Sequence, residues 1–360
     1  MSWRLPWRGP RRKKSPLKPA GRQTSRLKRS NPDKRLDRGW AACWPRGGLA
    51  VYRRVVVIGW RVIVGSLVVA ALAGLCWLDH RASIAGVWLG PVVLVLAGLG
   101  THELLGLYAA VDIRPGPLVV YGGVGVVVAS NWLGRVIGPA PSGPWPVRPE
   151  GLAGAFAGPC LALALVLGAA FVGQMRRFER PGRSLVPLAA TCFAFVYLGL
   201  LLSFAVQLRL VFGVAALVSL VLVVKLADTG AYFAGRLLGR HKLAPVLSPG
   251  KTWEGVAGAL VFALVGAWLS FAWLVPVMNT QAEACGMASP WWGWIAYAGV
   301  LAVMGILGDL AESLLKREAG RKDSSTWLPG LGGVLDMLDS ILLAAPAAYL
   351  FWALGLVGLG

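Results

Sequence analysis

The chain has 360 residues, of which 56% are hydrophobic and only 14% are charged, and its formal net charge is +20. Soluble domains carry about 25% charged residues, so this composition excludes an ordinary soluble domain and indicates an integral membrane protein. The five cysteines are scattered and lack CxxC spacing, which argues against a disulfide framework and against a zinc site.

Residues 1–54 form a basic tail with 17 Lys or Arg and two Asp, so the tail carries +15 of the net charge. It is rich in Pro and Ser and poor in large apolar residues, which predicts a disordered cytoplasmic extension. An arm that binds anionic lipids is the alternative, since each base near an acidic leaflet contributes roughly 1 kcal/mol. We expect no nucleic-acid binding, because the tail is tethered to a membrane and lacks interleaved aromatic residues.

Residues 55–360 are predicted to form a polytopic membrane domain. A helix needs about 20 apolar residues to cross the hydrocarbon core. Nine runs meet that requirement: 55–78, 84–110, 117–138, 151–172, 184–206, 210–235, 252–277, 290–311 and 336–357. The predicted fold is therefore an all-α integral membrane protein with about nine transmembrane helices, rich in Gly and Ala as packed membrane helices are.

The distribution of Lys and Arg predicts the orientation of these helices. If the tail is cytoplasmic, the cytoplasmic connections contain 13 bases: Arg114, Arg176, Arg177, Arg180, Arg183, Arg236, Arg240, Lys242, Lys251, Lys316, Arg317, Arg321 and Lys322. The opposite connections contain four: Arg81, Arg135, Arg148 and Arg209. The N-terminus is then cytoplasmic and the C-terminus lies across the membrane. The two largest polar loops, 236–251 and 312–335, face the side that contains nucleotides.

The sixth predicted span and the loop after it contain the first candidate site residues. Asp228 is a candidate metal ligand, although Lys225 three residues earlier offers simple mutual neutralisation. Ser248 and Lys251 precede the next helix, where a hydroxyl, an ammonium and helix N-terminal N–H groups can contact phosphate. The run Ser-Pro-Gly-Lys-Thr lacks GxxxxGK spacing and a preceding strand, so we reject a P-loop.

The segment 308–340 is polar and charged, and it lies between two predicted spans. Ionised groups at membrane depth are costly, so acids clustered there indicate a functional site. Asp309, Ser313 and Lys316 are spaced to line one helical face, where they could hold a metal and contact a phosphate. An ordinary amphipathic helix end is the alternative.

The second part of this segment adds further candidates. Lys322 and Asp323 precede Ser325, and a glycine-rich stretch at 329–333 can bring backbone N–H groups close to an anion. Asp336 and Asp339 then enter the last span, three residues apart. Acids in a first helical turn often only complement the helix dipole, but two acids that enter an apolar span exceed that need.

This combination of residues suits phosphoryl or nucleotidyl transfer. That chemistry depends on charge neutralisation and alignment more than on covalent catalysis. Carboxylates hold one or two cations, and Lys and Arg offset the charge of a polyphosphate. No His or Cys constellation is required.

The residues then resemble a known family, the phosphatidate cytidylyltransferases (CDP-diacylglycerol synthases). The family pattern runs Ser-x-x-Lys-Arg, Lys-Asp-x-Ser, Leu-Pro-Gly-His-Gly-Gly and Leu-Asp-Arg-x-Asp. The residues in register with it are Ser313, Lys316, Arg317, Lys322, Asp323, Ser325, Pro329, Gly330, Gly332, Gly333, Asp336 and Asp339. The upstream stretches 228–236 and 248–255 are also similar to the family, and the matches place the catalytic region at 225–340.

The resemblance implies transfer of a cytidylyl group from CTP to phosphatidate, with Mg²⁺ and an optional second cation, in a multi-pass protein of the cell (inner) membrane. It implies catalytic roles for Asp309, Ser313, Lys316 and Asp336. The implied metal ligands are Asp309, Asp336, Asp228, Asp323 and Asp339. The implied substrate contacts are Ser248, Lys251, Arg317, Lys322, Ser325, Gly332 and Gly333. The expected partners are CTP, phosphatidate and membrane lipids, and the oligomeric state stays open between monomer and homodimer.

Three positions depart from the family pattern: Leu331 stands in place of His, Met337 in place of Arg, and Gly250 in place of Lys. Two alternatives to an active enzyme of this kind stay open, and the departures support the first. One is a catalytically weakened or silent homologue that binds lipid. The other is a membrane transporter, although we find no second copy of the acidic segment. A CDP-alcohol phosphotransferase is excluded, because its Asp-Gly-x-x-Ala-Arg element is absent.

Overall fold

The computed structural model describes residues 65–67, 70–133, 151–278, 290–321, 324–325 and 333–358. The basic tail 1–54, part of the first predicted span and part of the third lie outside the described residues. The site candidates Lys322, Asp323 and Gly332 also lie outside them. The predictions made for these residues therefore stay predictions.

The described part of the chain is built mainly from helices that run back and forth. In chain order they are α1 (70–81), α2 (Leu89–Ala110), α3 (Pro117–Ala129, continued by a 3₁₀ turn at Ser130–Trp132), α4 (Gly151–Arg176), α5 (Leu185–Phe212), α6 (Val214–Leu237), α7 (Trp253–Met278), α8 (Trp291–Glu318) and α9 (Val334–Ala353). Among the described residues, α2 and α4 to α9 make seven helices long and apolar enough to cross a membrane, whereas α3 is shorter. The chain is therefore a helical, multi-pass membrane protein, and the count of nine spans stays a prediction.

Two helix boundaries differ from the predicted ones for clear physical reasons. The fifth and sixth helices meet at Gly213, whose φ of 92° interrupts the helix, and not in the predicted interval 207–209. The eighth helix continues to Glu318, so the prediction that a loop begins at residue 312 was wrong. Residues 312–318 are mostly good helix formers, and Glu312 pairs with Lys316 one turn later.

The loop predicted between α6 and α7 contains a small antiparallel hairpin, which an all-helical prediction did not include. Its strands are β1 (Lys242–Ala244) and β2 (Ser248–Thr252), with Lys242 opposite Thr252 and Ala244 opposite Ser248. Thr252 ends β2 and caps α7, since its hydroxyl accepts the Gly255 N–H at 3.1 Å. The hairpin therefore delivers Ser248 and Lys251 directly to the start of α7.

Small residues let the helices that carry the candidate site approach closely. A Cβ atom added at Gly230 of α6 would overlap the Gly258 carbonyl oxygen of α7. A Cβ atom added at Gly308 of α8 would overlap the Asp339 carbonyl oxygen of α9. The backbones of α8 and α9 are therefore in contact at the level of the acidic residues.

A buried ion pair ties α1 to α5 at the opposite end of the bundle. The Nε atom of Arg209 lies 2.5 Å from Asp79 Oδ2, and both side chains are almost fully buried. Asp79 also accepts the backbone N–H of Trp88 at 3.0 Å. Arg209, a base assigned to the outer side by the charge pattern, is thus a structural partner of Asp79.

Candidate functional site

The two polar stretches predicted to form one site are in direct contact. The Nζ atom of Lys251, at the end of β2, lies 2.9 Å from Asp309 Oδ2 on α8. The same ammonium donates a hydrogen bond of 3.1 Å to the Ile306 carbonyl oxygen. The structure therefore brings the α6–α7 connection against the C-terminal half of α8.

Three carboxylates from α8 and α9 converge beside this contact. Each of Asp309, Glu312 and Asp339 offers an oxygen atom, and the three atoms lie within 4.8 Å of one another. Glu312 is fully buried, and within the described part of the chain its Oε1 atom has no hydrogen-bond partner. A buried polar atom without a partner is costly. A donor set of carboxylate oxygens suits a hard cation such as Mg²⁺, so these residues fit the implied metal.

Lys316 joins Glu312 to Asp336 and is itself nearly buried. Its Nζ atom lies 2.6 Å from Glu312 Oε2 and 2.5 Å from Asp336 Oδ1. The other oxygen of Asp336 accepts the Gly333 N–H at 2.7 Å and the Ser324 hydroxyl at 2.8 Å. Asp336, predicted as a metal ligand, therefore contacts Lys316 and the segment before α9, and it is outside the group of three converging carboxylates.

Asp228 on α6 approaches the site through Ser340 of α9. The Ser340 hydroxyl lies 3.4 Å from Asp228 Oδ1 and 3.1 Å from Asp339 Oδ1. The Lys225 ammonium donates to Asp228 Oδ2 at 3.2 Å, as the spacing in the sequence predicts. Asp228 is therefore linked to the acidic residues of α9 by one shared hydroxyl.

The structure adds a residue that the sequence analysis missed. Glu103 of α2 is 5% exposed, and its carboxylate accepts hydrogen bonds from the hydroxyls of Ser324 and Ser325. It also accepts the backbone N–H groups of Val334 and Leu335. An ionisable residue inside an apolar span was the available signal, because such residues are functional candidates by default. Glu312, which lies in the polar segment 308–340, was also given no role in the sequence analysis.

The remaining predicted residues lie around this network. The Ser313 hydroxyl is 3.5 Å from Asp309 Oδ1, and Arg317 Nε donates to the Leu247 carbonyl oxygen at 3.2 Å. Ser248 lies at the start of β2, and Gly333 immediately precedes α9. A Cβ atom at Gly333 would overlap Ser324 Oγ and Glu103 Oε2, so a larger residue here would displace these two side chains.

The connected site is strongly acidic among the described residues. Its carboxylates are Glu103, Asp228, Asp309, Glu312, Asp336 and Asp339, and its ammonium groups are Lys225, Lys251 and Lys316. Six acids face three bases, so the formal charge of this network is −3. A polyphosphate would be repelled by such a site unless cations were also bound.

Comparisons with known proteins agree with this geometry. The model of the cytidylyltransferase family matches residues 59–354. A phosphatidate cytidylyltransferase of Haemophilus influenzae is 41% identical over 167 residues, which cover 44% of this chain and 56% of that protein. One from Brucella suis is 43% identical over 143 residues, covering 40% and 48%. One from Mycobacterium bovis is 38% identical over 172 residues, covering 47% and 52%.

The chain thus spans about half the length of the curated relatives that it matches. The family model, in contrast, extends across nearly all of the predicted membrane domain. It includes α2 with Glu103 as well as the acidic ends of α8 and α9. The predicted resemblance is confirmed at this level: the chain belongs to the cytidylyltransferase family.

Proposed function

We propose that the chain transfers the cytidylyl group of CTP to phosphatidate, which yields CDP-diacylglycerol and pyrophosphate. Family membership and the names of the relatives support this reaction. The observation that carries the proposal is the cluster of Asp309, Glu312 and Asp339 beside Lys251, in which one buried oxygen of Glu312 has no partner among the residues that the structure describes. Its chemistry suits a metal-bound triphosphate at the end of a membrane bundle.

In the proposed reaction, a phosphate oxygen of phosphatidate attacks the α-phosphorus of CTP. A new phosphorus–oxygen bond forms, the bond between the α-phosphorus and the bridging oxygen breaks, and pyrophosphate leaves with that oxygen. The catalytic demand is to hold two anions together in line and to offset their charge. No covalent intermediate with the protein is needed.

We assign cation binding to Asp309, Glu312 and Asp339. Asp228, Asp323 and Asp336 stay predicted metal ligands, and in this proposal they would hold the optional second cation. A bound Mg²⁺ supplies positive charge that offsets the triphosphate and orients its oxygen atoms. Lys251 contacts phosphate oxygens in this proposal, while Lys316 keeps Glu312 and Asp336 in place.

The substrate contacts in this proposal come from both polar connections. Ser248 and Lys251 lie in β2, and Ser313 and Arg317 lie on α8. Ser325 and Gly333 flank the segment that leads into α9. Lys322 and Gly332 are further predicted contacts. These groups combine hydroxyls, cations and backbone N–H groups, which are the donors that phosphates accept.

We further propose that the site faces the cytoplasm of a bacterial inner membrane, with nine spans and a cytoplasmic N-terminus. A cavity of about 190 Å³ between the α2–α3 and α4–α5 connections supports this orientation, because Arg114, Arg177, Arg180 and Arg183 line it. Arginines at this end suit an anionic leaflet. A homodimer is compatible with this arrangement, as is a monomer.

Pyrophosphate release tests the proposed reaction. Purified protein in detergent, with Mg²⁺ and phosphatidate, should release pyrophosphate with CTP and not with ATP, GTP or UTP. Diacylglycerol, which lacks the attacking phosphate, should give none. If the native chain releases no pyrophosphate but still binds phosphatidate, the silent-homologue alternative, supported by Leu331 and Met337, replaces the enzyme.

A further inference from the structure

Glu103 lies more than 100 residues before the catalytic region 225–340, yet it contacts the segments on both sides of the site's last connection. Its Oε1 atom lies 2.6 Å from Ser325 Oγ and 2.9 Å from Val334 N. Its Oε2 atom lies 3.0 Å from Ser324 Oγ and 2.8 Å from Leu335 N. Each oxygen of this buried carboxylate therefore has two donor groups within hydrogen-bond distance.

Glu103 accepts hydrogen bonds from the first backbone N–H groups of α9. The first N–H groups of a helix have no acceptor within the helix. A side chain at the N-cap position usually supplies one, but the N-cap of α9 is Gly333, which has no side chain. Glu103 supplies the missing acceptor from α2, and its negative charge lies at the positive end of the α9 dipole. Within the described part of the chain, no Lys or Arg forms an ion pair with Glu103.

A short path of contacts connects Glu103 to the centre of the site. The Ser324 hydroxyl lies between Glu103 Oε2 and Asp336 Oδ2, at 3.0 Å and 2.8 Å. Its single proton can be donated to only one carboxylate at a time. Asp336 also accepts the Gly333 N–H, and it contacts Lys316, which in turn contacts Glu312. A shift of the first turn of α9 would therefore move Asp336, and with it Lys316.

We propose that Glu103 is the positioning residue of this site. It holds residues 324–325 and the first turn of α9 so that Asp336 fixes Lys316 against Glu312. The expected effect on kcat rests on the proposed function. The expected effect on the start of α9 rests on the hydrogen bonds of Glu103 alone. Glu103 acts through these residues and contacts no reacting atom in this assignment.

The test compares Glu103→Gln and Glu103→Asp with a matched control, Glu318→Gln, at an exposed position on α8. The first substitution removes the charge and replaces one acceptor oxygen with a donor. The second keeps the charge but is one methylene shorter, so it cannot reach all four donors. Each variant is purified as the full chain, and the monodisperse fraction is assayed for kcat, for the KM of CTP and for hydrogen exchange by mass spectrometry.

For Glu103→Gln we expect kcat to fall about 100-fold, as small misplacements of catalytic groups do. The KM for CTP should change less than kcat, because the proposed phosphate contacts Ser248 and Lys251 lie in β2, outside the segments that Glu103 holds. Exchange of the peptide that begins at residue 333 should accelerate about 10- to 100-fold, while α5 stays protected. The kcat and the exchange rate of Glu103→Asp should lie between those of Glu103→Gln and of the native chain. Both quantities should be native in Glu318→Gln.

Two results would overturn the inference. One is a kcat of Glu103→Gln within twofold of the native value. The other is hydrogen exchange that accelerates in α5 as much as it does in α9. The second result would indicate general loosening of the fold. If the native chain itself releases no pyrophosphate, the proposed function fails. The exchange data then decide separately whether Glu103 holds the start of α9, and unchanged exchange there would reject it.

Discussion

Glu312 and Lys316 lie one turn apart on α8, with 2.6 Å between Oε2 and Nζ, and the second oxygen of the same carboxylate is buried without a hydrogen-bond partner among the described residues. One oxygen of this carboxylate therefore holds the ion pair, and the other is the oxygen that the proposed cation would contact. A buried polar atom without a partner is costly, so its presence in a native structure calls for an explanation.

Replacing Glu312 by Gln should separate stability from activity. The amide keeps the size of the side chain and removes a buried negative charge from an acidic cluster. We expect the Mg²⁺-free protein to unfold at an equal or higher temperature, while the Mg²⁺ concentration for half-maximal turnover rises at least about tenfold. Differential scanning fluorimetry and a Mg²⁺ titration of pyrophosphate release measure the two effects.

Glu318→Gln is the matched control for that experiment, since Glu318 lies on the same helix and is exposed. It should change neither quantity. A Glu312→Gln protein with native Mg²⁺ dependence would remove Glu312 from the cation site.

Replacing Asp309 by Asn should abolish cytidylyl transfer without preventing membrane insertion. The amide keeps the shape of the side chain but loses the charge that holds a divalent cation. Turnover should reach background at any Mg²⁺ concentration, measured on protein extracted from membranes. Asp112→Asn makes the same change at an exposed position where φ is 59°, a conformation that Asn tolerates, and should retain native turnover.

Replacing Lys316 by Ala should damage both stability and turnover. It would leave the buried carboxylate of Glu312 and the partly buried carboxylate of Asp336 without their shared cation, and breaking a buried pair costs up to about 3–5 kcal/mol. We expect a clearly lower unfolding temperature in detergent. Lys316→Arg keeps the charge and should restore part of the stability. Equal unfolding temperatures for native and Lys316→Ala protein would contradict the observed contacts.

Replacing Gly308 by Ala should separate α8 from α9, because the new Cβ atom would overlap the Asp339 carbonyl oxygen. Turnover and unfolding temperature should both fall. Gly299→Ala on the same helix meets nothing within 4 Å, so it should be neutral or stabilising by up to roughly 1 kcal/mol. Similar behaviour of the two variants would mean that α8 and α9 are not in close contact here.

Single cysteines introduced into a chain without its five native ones can test the orientation. Positions 180 and 242 should react with a membrane-impermeant maleimide only after the cytoplasmic side is opened. Position 83 should react from outside, as the distribution of Lys and Arg requires. Labelling of positions 180 and 242 from different sides of the membrane would contradict the proposal that both connections face the cytoplasm.

Much of the helical framework could be predicted because the hydrocarbon core imposes a simple requirement. A spanning segment must be a long apolar run whose backbone N–H and C=O groups form hydrogen bonds within the segment. The boundaries at Gly213 and Glu318 could not, since hydropathy reports where the apolar run stops and not where the helix stops. The β1–β2 hairpin was missed for a related reason. Strands of three and five residues show too little alternation to identify.

The acidic centre of the site could be predicted where its residues share a helix or a short loop, as Asp309 and Lys316 do. Its cross-helix contacts could not. Glu312 and Asp339 lie on different helices, so their approach depends on how α8 packs against α9, and Gly308 and Asp339 are part of that contact. Glu103 was missed because nothing in its local sequence indicates that α2 packs against the start of α9.

The ion pair between Lys251 and Asp309 has a consequence for how two ligands bind. Each partner is engaged with the other. If the chain binds CTP and Mg²⁺ as proposed, a triphosphate that attracted Lys251 would release Asp309 for the cation, and a cation that attracted Asp309 would release Lys251 for the triphosphate. By thermodynamic linkage, the factor by which Mg²⁺ raised the affinity for CTP would equal the factor by which CTP raised the affinity for Mg²⁺. The hairpin and α8 would thus make nucleotide and metal binding cooperative.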